Sequence, residues 1–155
     1  MKLTDREDRD GLLRSESMIR QIIEDQLAAG FALSQIFLAG FSQGAAMALF
    51  TGLRSPTPLG GVISLSGYMP LAQECKLEPL HTHTPFFIAG GRFDPIVLPA
   101  WTKLSVEWLI SNGFQHVSEH EYPMEHSICA EEIRDLAGWL KLQITSMTQN
   151  NGVTQ

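Results

Sequence analysis

Between residues 35 and 140 short apolar runs alternate with helix-period segments, and no tight hairpin signal joins one run to the next. Strands separated by helices pair in parallel, so this alternation points to an α/β fold with helices on both faces of a mostly parallel sheet. The runs are 35–40 (QIFLAG), 60–66 (GGVISLS), 85–89 (PFFIA) and the more polar 115–122 (QHVSEHEY). The first two are almost unbroken, as in strands buried on both faces. The fourth carries charges and is expected nearer a sheet edge.

The intervening segments have helical signals. Ser15 or Ser17 is placed to cap a helix that reaches about Ala29, with Met18, Ile19, Ile22, Ile23 and Leu27 as its apolar stripe and Gly30 as its stop. Residues 43–53 are rich in Ala, Met and Leu. Pro99 suits the first turn of a helix carrying Trp101, Leu104, Val106, Trp108, Leu109 and Ile110, which Asn112-Gly113 ends. A last helix is expected from about Ala130 to Leu140. Residues 67–84 contain Pro70 and Pro79, have no clear period, and read as a long loop or small lid. The expected organisation is one domain over 1–142 and a polar, frayed tail over 143–155.

The chain of 155 residues is 44% apolar and 18% charged, which suits a single globular domain. Its net charge of -6 and lack of a Lys/Arg cluster argue against a nucleic-acid partner. No run is long enough to span a bilayer, and the charged start MKLTDREDRDG has no apolar leader core, so a cytoplasmic location is expected. Cys75 and Cys129 are read as reduced, small core residues rather than a disulfide.

Gly40-Phe41-Ser42-Gln43-Gly44 is a G-x-S-x-G between an apolar strand and an Ala-rich helix. That context is the one a nucleophile elbow needs, in which the serine hydroxyl stands above the sheet on a sharp strand-to-helix bend. Gly40 and Gly44 lack Cβ and permit close backbone approach. The amide of Gln43, the residue after the nucleophile, is one oxyanion-hole donor. An alcohol nucleophile needs a base, and in this architecture the order is Ser, acid, His. Of five histidines, His81 and His83 precede the third strand, and His116 and His120 alternate on the fourth. Only His126 follows a late strand at its carboxyl end. Asp94 leaves the third strand in the same manner and would hold the Nδ1 proton of His126. Glu125 competes by charge, but its adjacency to His126 directs it away from the imidazole. His81-x-His83 lacks a third ligand, so no metal is expected, and Cys129 has no elbow around it.

The blocks GFSQGAAMAL, SLSGYMPL, GRFDPIV and YPMEHSIC occur in this order. Together they resemble the carboxylesterase/acyl-protein thioesterase family, also called the phospholipase/carboxylesterase family, from about Asp5 to Leu140. The resemblance implies an α/β-hydrolase-type fold and cofactor-free hydrolysis of carboxylic esters or thioesters, small or protein-linked, through an acyl-enzyme. It implies Ser42, Asp94 and His126 as the triad, and an acyl groove lined around Met69, Pro70 and Leu71. The family often has His-Gly where this chain has Gly90-Gly91, and Gly where it has Glu125. Family members also begin with further strands and a His-Gly loop that supplies a second oxyanion donor. None is found upstream of Ser15, so the chain is expected to be N-terminally truncated, started late, or completed by a partner at the open sheet edge. One missing donor costs about 10² to 10³ in rate. The open edge invites pairing with a second copy. The contrasting reading is a degenerate homologue that binds acyl compounds or a protein without turnover.

Overall fold

The computed structural model describes residues 9–70 and 81–150. Four parallel strands, β1 (Phe37–Phe41), β2 (Gly61–Leu65), β3 (Phe86–Gly91) and β4 (Val117–Tyr122), lie side by side in chain order. Helix α1 (Arg9–Ala28) and a 3-10 turn (Leu33–Gln35) precede them. Helix α2 (Gln43–Leu53) links β1 to β2, and α3 (Pro99–Ser111) links β3 to β4. Helix α4 (Ala130–Asn150) follows β4.

Alternation along the central strands builds two cores. Val62, Phe86 and Ile88 face α2 and α3 and pack with Leu49, Phe50, Val106 and Leu109. Ile63, Phe87 and Ala89 face the opposite way, toward Tyr122 and Trp139. Because side chains alternate between faces, a strand covered on both sides must be apolar at every position, which β2 and β3 nearly are. Complete burial of Phe86, Phe87 and Ile88, each stabilising by about 2 kcal/mol, makes β3 the spine of the fold.

β1 departs from expectation. It is only partly buried and forms one edge of the described sheet. Its apolar sequence does not tell a central strand from an edge, because that depends on what lies beside it. β4 is the other edge, as its charges indicated, with Glu119 and Glu121 exposed.

Two helix ends also differ. α1 starts at Arg9, so Ser15 and Ser17 lie inside it rather than capping it. Leu12 and Leu13 pack against the α2/α3-side core, and this contact holds the early turns of the helix. Glu16 is buried on the same side and bonds the Arg54 guanidinium at 2.6 Å, pinning α1 to the end of α2. Met18 and Ile22, expected in the apolar stripe, point outward and are 70% and 60% exposed. At the other terminus α4 continues beyond Leu140 and through residues 143–150, expected as a frayed tail. That stretch contains no Gly or Pro, and the hydroxyls of Thr145, Ser146 and Thr148 donate to carbonyls four residues back.

No helix among the described residues is long and apolar enough to cross a membrane. Cys129 is a free thiol, half-buried against the Trp139-side core. Cys75 and most of the expected lid lie outside the described residues.

Candidate active site

Ser42, Asp94 and His126 each follow the carboxyl end of a strand, so the parallel sheet brings them to one rim. Ser42 follows the last residue of β1 and caps α2 with φ 57° and ψ -119°, a backbone state that costs a non-glycine residue on the order of 1–3 kcal/mol. The surroundings hold it there. Its N–H donates to the Leu65 carbonyl at 2.9 Å, and its carbonyl accepts from Ala46 at 3.1 Å. A Cβ on Gly40 would overlap the Gly44 carbonyl group, so the bend closes only with glycine at 40. Gly44 differs from the expectation for it: no described atom lies near where its Cβ would be. Its backbone is approached, whereas its own side-chain position is open.

Asp94 is 3% exposed in the turn after β3. Its Oδ1 accepts from the amides of Ile96 (2.8 Å) and Val97 (2.9 Å), which orients the carboxylate. Its Oδ2 lies 2.7 Å from His126 Nδ1, and His126 Nε2 lies 2.9 Å from Ser42 Oγ. An ionised carboxylate only accepts hydrogen bonds, so Nδ1 carries the imidazole proton and Nε2 is free to accept from the serine hydroxyl. Asp94, His126 and Ser42 are therefore joined in one continuous hydrogen-bonded chain. Gln43 opens α2, and an amide in the first turn of a helix has no intrahelical acceptor. Glu125 is exposed beside His126.

The loop carrying His126, residues 123–129, is laid against the end of β3. Phe93 N–H donates to the Met124 carbonyl at 3.1 Å, and Arg92 N–H to the Tyr122 carbonyl at 2.8 Å. A Cβ on Gly91 would overlap the carbonyl oxygens of both Met124 and Glu125. Gly91→Ala is expected to push this loop outward, lengthen the His126–Ser42 contact and cut the rate by about 10²-fold. A crystal structure of the variant, paired with its rate of Ser42 acylation, checks this.

Some neighbours had no sequence signal strong enough to single them out. The Phe41 ring packs on His126, centroids 4.8 Å apart. Phe41, Phe93, Ile96, Leu98 and Ile128, which flank the three polar residues in the chain, are all exposed. Several large apolar side chains exposed to water so close in the chain to three polar residues are a feature of ligand-binding surfaces. Met69 is half-buried against the α2/α3-side core, with its N–H donating to Ser105 Oγ at 2.9 Å. Leu71 lies outside the described residues.

Comparison with known proteins gives a consistent result. Residues 1–144 match the phospholipase/carboxylesterase family. Acyl-protein thioesterase 1 of Yarrowia lipolytica is 35% identical over 142 residues, which is 89% of this chain and 63% of that protein. Acyl-protein thioesterase 1 of Aspergillus fumigatus is 39% identical over 140 residues, 87% of this chain and 58% of that protein. This chain thus spans about three fifths of the length of those curated relatives. Among solved structures, Arabidopsis thaliana SOBER1 superposes with a TM-score of 0.80 at 27% identity, covering 93% of this chain and 70% of that one.

Proposed function

The chain belongs to the phospholipase/carboxylesterase family, and from that premise we propose that it is a serine hydrolase cleaving carboxylic esters or acyl thioesters through an acyl-enzyme. The observation that carries the reading is the directed chain from Asp94 through His126 to Ser42, at 2.7 and 2.9 Å. Ser42 Oγ attacks the acyl carbonyl while His126 Nε2 takes the hydroxyl proton. Asp94 keeps the other proton on Nδ1 and stabilises the imidazolium. The Gln43 amide donates to the oxyanion at the start of α2, where the helix dipole also favours negative charge. Collapse of the tetrahedral species breaks the bond to the alcohol or thiol, which leaves with the proton from His126. Water then attacks the acyl-Ser42 carbonyl, His126 again taking and returning the proton. The exposed apolar residues around the triad, with Met69 and Leu71, receive the acyl chain. The names of the relatives support a protein-linked thioester as one substrate class.

A fluorophosphonate probe tests the reading, because it reacts only with an activated serine. Labelling at Ser42 is expected, with none in Ser42→Ala and strongly slowed labelling in His126→Ala. Hydrolysis of p-nitrophenyl butyrate and of an acyl-thiocholine should follow the same order. An unlabelled, inactive wild-type protein with intact fold refutes the proposal in favour of a non-catalytic binding module.

The proposal extends to assembly. The outer edge of β1 carries no charge, unlike β4, and charge is what ordinarily keeps an edge strand from pairing. A second copy pairing antiparallel across a two-fold axis matches this edge with itself. Sedimentation at micromolar concentration is expected to give a dimer, and Ala39→Lys a monomer. Monomers in both refute it.

A further inference from the structure

Among the described residues three acidic side chains are buried, and two have obvious partners: Glu16 bonds Arg54, and Asp94 bonds two amides and His126. The third, Glu132, is 0% exposed, and neither carboxyl oxygen has a hydrogen-bond partner. Buried polar groups are almost always paired, so this residue calls for a reason.

Its position gives one. Glu132 sits in the first turn of α4, three residues after Cys129, where the His126 loop ends. The Cys129 backbone is near enough to favour the charged carboxylate, though not in bonding geometry, and burial outweighs it. On the other side lies Tyr122, the last residue of β4, where the loop begins. Burial first, then the carboxylates of Asp135 and Glu132, push the Tyr122 hydroxyl up, and that hydroxyl donates to Asp135 at 2.7 Å. Glu132 is thus close enough to feel both ends of the seven-residue span that carries the imidazole: the Cys129 backbone favours its charge, and its own charge acts on Tyr122. The leading half of that span is bonded to the end of β3, whereas its trailing half is tied to α4 through Ile133 N–H and the Cys129 carbonyl.

We propose that Glu132 is a positioning residue that fixes the trailing end of the His126 loop, and through it the distance from His126 to Ser42. The proposal rests on the reading of His126 as the base. A neutral carboxyl packs in this site. An ionised one has only the Cys129 backbone, short of bonding geometry, to favour it and must draw in water, which pulls the first turn of α4 and the loop away from the sheet. Burial pushes this carboxyl up to about 7, so the change falls near neutrality. The titratable groups on the flanking elements are Tyr122 of β4 and Cys129 of the loop, with His120 of β4 and Asp135 of α4 close to one another at 3.9 Å. On β3 the residues on that face are Phe87, Ala89 and Gly91, none of which ionises.

The test measures kcat and KM from roughly pH 5.5 to 9 for wild type, Glu132→Gln and Glu132→Ala, with the His126 Cε1–H resonance and Tm followed alongside. Wild-type kcat should fall about tenfold above neutrality with KM unchanged. Glu132→Gln, a neutral isostere, should match wild type at the acid end and lose that fall. Glu132→Ala should lower kcat by about 10- to 100-fold at every pH and shift the His126 resonance. The linkage sign is independent of catalysis: a carboxyl protonated in the fold but ionised in the unfolded chain makes stability fall as pH rises from about 4.5 to about 7. Glu132→Gln should lack that fall. Variants that change Tm alone, leaving the pH profile and the His126 resonance as in wild type, overturn the proposal. If the wild type hydrolyses no ester at all, the hydrolase reading fails, and the resonance and Tm–pH curves still decide the role of Glu132.

Discussion

Asp94→Asn is expected to lower kcat by about 10⁴-fold, on the order of 5 kcal/mol of barrier, with Tm within a few degrees of wild type. The two effects separate because Asp94 does two jobs with different atoms. Its Oδ1 holds the turn by accepting from Ile96 and Val97, and an asparagine oxygen does the same. Its Oδ2 accepts from His126 Nδ1. In the variant an NH₂ group faces that nitrogen, so Nδ1 must become the acceptor and the ring proton moves to Nε2. A protonated Nε2 cannot take the Ser42 proton. Asp94 is 3% exposed, so solvent cannot easily restore the tautomer. Steady-state rates on an ester and the rate of fluorophosphonate labelling measure the loss. A drop of less than about tenfold refutes the assigned proton path.

Gly40→Ala should be the most damaging single-methyl change for the fold. The added carbon overlaps the backbone of Gly44 and Ala45 rather than a side-chain tip that can swing aside. Either β1 or α2 must move, and both are fixed by the sheet and by the buried face of α2. A loss of about 3 kcal/mol or more is expected in urea unfolding, together with loss of Ser42 labelling. Gly44→Ala is the internal comparison. Its Cβ enters open space in the first turn of a helix, where alanine is favoured over glycine by up to about 1 kcal/mol, so stability should hold or rise. Equal destabilisation by the two changes contradicts the picture of the bend.

The contrast between those glycines also bears on what can be read from a sequence. G-x-S-x-G carries the bend, but not which glycine the bend needs, because that depends on atoms brought together in three dimensions. Local signals did well where local physics decides. The span of α2 follows from its Ala-, Met- and Leu-rich sequence after the serine bend, and the Pro99 start of α3 and its end at Asn112-Gly113 from turn chemistry. Where tertiary contact decides, they failed: Leu12 and Leu13 hold the early turns of α1 against the core, and Met18 and Ile22 have helical spacing but face water. At the site, Ser42, Asp94 and His126 were singled out by position after strands, and the fold brings them into hydrogen-bonding distance. Phe41 and Glu132 were not, since an aromatic before a serine and an acid in a first helical turn are common, and only burial and neighbours distinguish them.

The three polar groups come from chain positions far apart, with His126 84 positions after Ser42. On a ribosome the serine therefore emerges well before the imidazole that would draw off its proton. Until β4 has been made and added to the sheet, its hydroxyl is no stronger a nucleophile than any other alcohol. On the proposed mechanism a half-synthesised chain lacks its base, and reactivity toward acyl groups arrives only once the loop after β4 is in place.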